Sequence, residues 1–111
     1  MIYTSKNYAN EILKDIKKKK IIRRKRDKNI NFIKKYNINQ RDIEEIIFGL
    51  TENMFKGKLK NKDKSIKAEY LYYFKTIVNL NDEFGEINKY IYIKICEVEE
   101  NILVVSIHED E

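Results

Sequence analysis

The chain has 111 residues, 42% of them hydrophobic and 37% charged, which is enough for one packed core and too little for two. No stretch approaches the roughly 18 uninterrupted apolar residues of a membrane helix. The net charge of +5 hides a partition: residues 1–67 carry 20 Lys/Arg against 8 Asp/Glu, and residues 68–111 carry 3 against 10. A basic half of this kind points to a polyanion, most often a nucleic acid. The competing reading is compositional drift, because Lys, Ile and Asn are all abundant here, as in chains from AT-rich genomes. The opening MIYTSKNYANE has no apolar h-region, so no secretory signal is expected and a cytoplasmic protein is. One Cys and one His cannot form a disulfide or a zinc site, so neither a metal nor another cofactor is expected.

With no proline and three glycines, the punctuation falls to Asn, Asp and charge clusters. A first helix is predicted over residues 5–19, with Tyr8, Ile12, Leu13 and Ile16 on one face. It runs into Ile21-Ile22-Arg23-Arg24-Lys25, a short basic strand candidate. Asp27 is placed as the cap of a second helix over residues 28–36, and Asn37 in the left-handed position that ends it. Asn39 caps a third helix whose core stripe is Ile43, Ile46, Ile47 and Leu50, with Gly49 as its terminator. Residues 56–67 alternate lysine with small or polar residues and are predicted to be a mobile basic loop.

The last third reads as β. A strand is predicted over residues 70–78, a loop over 79–88, and the two clearest strands over 89–98 and 102–108. A shared apolar face of Ile91, Ile93 and Ile95 with Leu103, Val105 and Ile107 requires paired residue numbers with an even sum. A three-residue loop, Glu99-Glu100-Asn101 with Asn101 left-handed, makes that sum 200. Val98 then faces Ile102, Lys94 faces Ser106, and Tyr92 faces His108. The expected fold class is α+β: three N-terminal helices and a short basic strand packed on a mainly antiparallel C-terminal sheet, in one domain over residues 1–111.

Tyr92, Lys94 and His108 on one exposed sheet face match what metal-independent RNA cleavage needs. That chemistry uses a base for the ribose 2′-hydroxyl, cations around the phosphorane and an acid for the leaving 5′-oxygen. Histidine, with an unperturbed pKa of about 6.5, is suited to proton transfer near neutral pH. Lys94 and Arg24 are placed to balance phosphate charge, and Tyr92 to donate to phosphate or stack on a base. The bland alternatives are a bystander histidine near the chain end, cross-strand packing for Tyr90 and Tyr92, and simple filling for Cys96. The run Arg23-Arg24-Lys25-Arg26 reads as a phosphate-contacting patch without base specificity. Tyr72 and Tyr73 read as sheet packing before base stacking.

The order of these segments resembles the motility quorum-sensing regulator (MqsR) family of type II toxin–antitoxin toxins. Arg23-Arg24-Lys25, residues 46–51, Tyr92-Ile93-Lys94 and Ser106-Ile107-His108-Glu109 carry the resemblance, which spans residues 12–111. It implies a RelE-like fold and an mRNA interferase. Such an enzyme cleaves mRNA without a metal, leaves a 2′,3′-cyclic phosphate, arrests translation and is restrained by a cognate antitoxin. Carried over by position, it implies roles for Tyr92, Lys94 and His108, and for a lysine after the third helix that falls at Lys56 or Lys58. Arg23, Arg24, Arg26, Lys58 and Lys60 are the expected RNA contacts. The alternative is a non-catalytic RNA- or protein-binding inhibitor on the same fold, from a mobile element, gripping its partner through the lysine-rich loop. A DNA-binding regulator fits less well, because Asp42, Glu44 and Glu45 make the third helix too acidic for a recognition helix.

Overall fold

Alternating isoleucines at Ile91, Ile93 and Ile95 place an apolar ridge on one face of a strand, and the fold is assembled on that ridge. In a computed structural model describing residues 2–110, the chain order is β1 (Ile2–Tyr3), a 3-10 turn (Lys6–Ala9), α1 (Asn10–Ile16), β2 (Lys20–Arg23), α2 (Asp27–Lys35) and α3 (Gln40–Phe48). A second 3-10 turn (Glu52–Met54) leads into β3 (Phe55–Lys60), β4 (Tyr70–Asp82), β5 (Gly85–Val98) and β6 (Asn101–Glu109). The six strands form one sheet in the order β1-β3-β4-β5-β6-β2, antiparallel except for the β2–β6 pair. The fold is therefore α+β. The helices cover one face, where Ile12, Ile43 and Ile47 meet Ile91, Ile93 and Ile95, all fully buried. No helix is long and apolar enough to cross a membrane.

The helical stripes fall where the 3.6-residue spacing puts them, but the boundaries differ. The first helix is shorter than predicted: residues 6–9 form a tighter turn and α1 ends at Ile16, because four successive lysines, Lys17 to Lys20, follow with no apolar partner. Asp27 is the first residue of α2 rather than its cap. Arg26 holds the cap position without a side-chain bond, and the Asp27 carboxylate sits in the first turn, where the helix dipole favours it. Asn37 is left-handed at φ 51°. Asn39 and Asp42 form a reciprocal capping box at the start of α3, each side chain accepting from the other's backbone N–H. Gly49 does end α3, at a right-handed φ of −83°.

Both predicted loops contain strand: five of residues 56–67, and all of residues 79–88 but Glu83 and Phe84. Residues 55–60 form β3, paired with β4 from Phe55↔Phe74 to Lys60↔Tyr70 with a bulge between Phe55 and Gly57. Lysine-rich alternation hides this strand, because its buried positions include Gly57, on the outer face, and Lys58, on the helix side, where apolar side chains are usual. The remainder, residues 61–69, is a loop tied down rather than mobile. Asn61 Nδ2 donates to the carbonyls of Asp63, Ile66 and Ala68, and Arg24 donates to Asp63 Oδ2 at 2.7 Å and Ser65 Oγ at 2.9 Å. Residues 79–88 continue the β4–β5 hairpin to a two-residue turn at Glu83-Phe84, where Asp82 Oδ1 accepts from Phe84 N–H and Gly85 takes φ 116°. Their Asn and Asp content resembles a loop, but Val78, Leu80 and Ile87 pack on the main core.

The β5–β6 register divides at a bulge. Tyr92↔His108 and Lys94↔Ser106 pair as the even-sum argument requires, but beyond Lys94 the pairing shifts to Ile95↔Val104 and Val98↔Asn101. The turn is therefore Glu99-Glu100, with Glu99 and not Asn101 left-handed at φ 56°. Val105 is the extra residue, and it reverses which side chains point inward. Ile102 and Val104 join Ile107 in the main core, whereas Val105 and Leu103 pack on the other face with Cys96, Leu71 and Ile66. The bulge thus supplies a second, smaller core that the 61–69 loop covers.

Candidate functional site

Where that loop stops, the outer face of the sheet stays open, and there the predicted polar residues meet. Strand alternation puts Tyr73 and Lys75 of β4, Tyr92 and Lys94 of β5, and Ser106 and His108 of β6 on the face away from the helices. The Tyr92 ring stacks on the His108 imidazole at 5.1 Å between centroids and 24° between planes, and Tyr73 lies 5.7 Å from Tyr92. The Lys94 ammonium sits 5.2 Å from the Tyr73 ring centroid. Arg26 reaches round the sheet edge and donates to Ser106 Oγ at 2.7 Å. A cleft of about 410 Å³ is bordered by Arg26, Lys28, Tyr92, Lys94, Ser106 and His108, with Glu109 and Asp110 at its rim.

Asn29 holds this edge in shape. β2 pairs with β6 only as far as Val104, and Arg24 N–H makes the last bond, to the Val104 carbonyl. Beyond it the buried Asn29 carboxamide takes the place of a neighbouring strand: Nδ2 donates to the Val105 carbonyl at 3.1 Å and Oδ1 accepts from Ile107 N–H at 2.9 Å. Nδ2 also donates to the Arg24 carbonyl at 2.9 Å, so one side chain fixes both the bulge and the basic segment that delivers Arg26. A buried asparagine on an otherwise apolar helix face is the sequence signal for such a role.

The electrostatics assign different roles to the aromatic and basic groups. Burial pushes the Tyr92 phenol up to about 12, so it stays protonated at neutral pH and acts as a donor or stacking plane. Burial, helped by the Arg26 charge, lowers the Lys94 ammonium from its ordinary value, which makes it a stronger acid. His108 Nδ1 lies 2.9 Å from the Glu109 carbonyl; that contact holds the Nδ1–H tautomer and leaves Nε2 free to take a proton. Glu109 is anchored by Tyr36 and by Lys35 at 3.0 Å, and its carboxyl is held below the ordinary range, first by the Tyr36 hydrogen bond. Asp110 pairs with Lys75 at 3.1 Å, which places this carboxylate against the open face.

The other predicted residues do not join this cluster. Lys56 is exposed in the β3 bulge, two strands from β5, and Lys60 is exposed at the far end of the same strand. Lys58 lies on the helix-covered side, 7% exposed. Its ammonium donates to Glu11 at 2.6 Å and sits 4.0 Å from the Tyr70 ring centroid, with Tyr3, Tyr8 and Tyr72 also around it. Arg24 is committed to Asp63 and Ser65, and Arg23 is exposed at the end of β2. Cys96 is buried in the second core and its thiol is raised to about 11 by burial. Lys28 and Lys75 join the site without a signal in the sequence analysis, and Tyr73, read there as sheet packing before base stacking, joins it too; the β4–β5 register pairs Tyr73 with Lys94 and Lys75 with Tyr92. Among the described residues, no three His, Cys, Asp or Glu side chains come together as a metal-ligand set. Comparison with protein families, with characterised proteins and with solved structures finds no match to this chain.

Proposed function

We propose that this chain is a metal-independent endoribonuclease, an mRNA interferase that acts in the cytoplasm as the toxin of a type II toxin–antitoxin pair. The RelE-like architecture and the cognate antitoxin are parts of this reading that rest on the resemblance to the MqsR family. The observation that supports it most is the grouping of His108, Lys94, Tyr92 and Arg26 round one open cleft. Lys94 and His108 are diagonal neighbours across a strand pair, with backbones about 7–8 Å apart, so both side chains rise beside the same cleft.

In this reading His108 Nε2 takes the proton of the ribose 2′-hydroxyl as its oxygen attacks phosphorus. The bond from phosphorus to the 5′-oxygen breaks, and the acidified Lys94 ammonium supplies that oxygen's proton. The products are a 2′,3′-cyclic phosphate and a 5′-hydroxyl. Arg26 balances charge on the non-bridging oxygens, and the Tyr73–Tyr92–His108 stack gives a flanking base a surface.

The test is incubation of the purified chain with mRNA in EDTA, followed by mapping of new 5′ ends. Discrete cuts bearing 5′-hydroxyls, lost in His108→Ala, support the reading. RNA binding without new ends favours the non-catalytic inhibitor, for which the same aromatic and basic face suffices.

A further inference from the structure

A larger concavity, of about 800 Å³, lies away from the basic cleft, between the end of α2, α3 and the β4 strand. Every residue from 76 to 83 borders it, and none of β5 does. Ile77 points to the open face, 55% exposed, and Leu80 points inward, 7% exposed. A groove bordered by both must run along the edge of β4. That edge is free: β3 stops pairing at Phe74, and among the described residues no backbone bond reaches residues 75–82 from that side. Its sequence from Thr76 to Asp82 contains no proline, lysine or arginine, the residues that usually block strand addition.

The lining of the groove as a whole tells what would fit. Ile38, Ile46 and Met54 make it apolar, while Asp42, Glu45, Asp82 and Glu83 supply four carboxylates against the one cation, Lys35. In a chain of net charge +5, this is an acidic groove that repels a polyanion and attracts a basic segment. We propose that the groove binds an extended, basic segment of a partner protein, added to β4 as a strand in line with β3. Main-chain bonds to residues 76–82 give affinity, apolar side chains lie on Ile38, Ile46 and Met54, and lysines or arginines lie beside the carboxylates. The proposal does not rest on the ribonuclease reading, since the groove and the His108 cleft share no bordering residue.

The experiment titrates the isotope-labelled full chain with the capped heptapeptide Arg-Val-Lys-Val-Arg-Val-Lys and with the same peptide N-methylated at alternate residues. Expected are amide shift changes and slowed amide exchange confined to residues 76–82 and the facing side of α3. Affinity falls about tenfold in Glu45→Lys with Glu83→Lys, two exposed positions whose reversal leaves thermal unfolding unchanged. The N-methylated peptide loses at least about tenfold, because it lacks the strand donors. No binding at about 1 mM peptide overturns the proposal. Equal binding of the methylated peptide, unchanged affinity in the reversed-charge variant, or shifts on another face do so as well. Concentration-dependent protection of residues 76–82 without peptide assigns the groove to a second copy of the chain and likewise rejects it.

Discussion

His108 and Asn29 show how single side chains carry separate duties at one edge. His108→Ala removes the free Nε2 and is expected to lower cleavage by about 100- to 10 000-fold, with thermal unfolding little changed because the ring is only partly buried. Full activity in that variant rejects His108 as the proton-transfer group. Asn29→Ala strands the Val105 carbonyl and the Ile107 N–H in a buried setting, which costs about 2–3 kcal/mol by denaturant unfolding. A loss below about 0.5 kcal/mol means that water replaces the carboxamide there. Lys58→Ala empties a ring of tyrosines and leaves Glu11 without its closest cation. It is expected to lose about 1–3 kcal/mol of stability, a range kept low because the Glu11 carboxylate is itself partly solvated. RNA affinity should not change, contrary to the role that the position in the sequence implied for Lys58.

At the scale of elements, the 61–69 loop has a clear pH signature. The Asp63 carboxyl is held below its ordinary value of 3.8, first by the Ser65 hydroxyl and then by Arg24. A depressed carboxylate contributes stability that is present above its unfolded pKa and lost as pH falls through the folded one. Protection of the 61–69 amides should therefore be level above about pH 4 and decline below it. Asp63→Asn abolishes the acid-dependent step, and a loop equally protected at low pH in the native chain would show that the tether is elsewhere. Losing the tether also exposes the small core of Ile66, Leu71, Cys96 and Val105, so local opening of the loop and of the outer face beneath it are coupled.

Over the whole molecule, charge is sorted by face as well as by chain half. The open face presents Arg26, Lys28, Lys75 and Lys94 around stacked aromatics, while the β4 edge presents carboxylates. RNA affinity should fall with salt at a slope of about −0.7 per phosphate contact, and Arg26→Ala should reduce the slope by about 1. An unchanged slope places the phosphate elsewhere. The extended β4–β5 hairpin, with Phe84 89% exposed at its tip, stands beyond the strands on either side. That overhang makes the acidic groove, so the basic outer face and the acidic β4 edge lie apart on the molecule.

Local pattern alone was enough for the α+β class, the helical stripes, the Asn39 cap and the pairing of Tyr92 with His108 and Lys94 with Ser106. Each follows from local periodicity or from alternation along one hairpin, and side chains two or three positions apart express it directly. The rest depends on contacts between segments far apart in the chain. The β3 strand is invisible in its lysine-rich composition because its stability comes from β4 and from a tyrosine ring assembled out of distant segments around Lys58. The bulge at Val105 answers to two cores on opposite faces and to Asn29, 76 residues away, none of which the hairpin's own pattern contains. Arg26 enters the cleft and Arg24 leaves it for Asp63 by the same logic: adjacent cations have equal claims in the sequence, and only the packed edge gives each its partner.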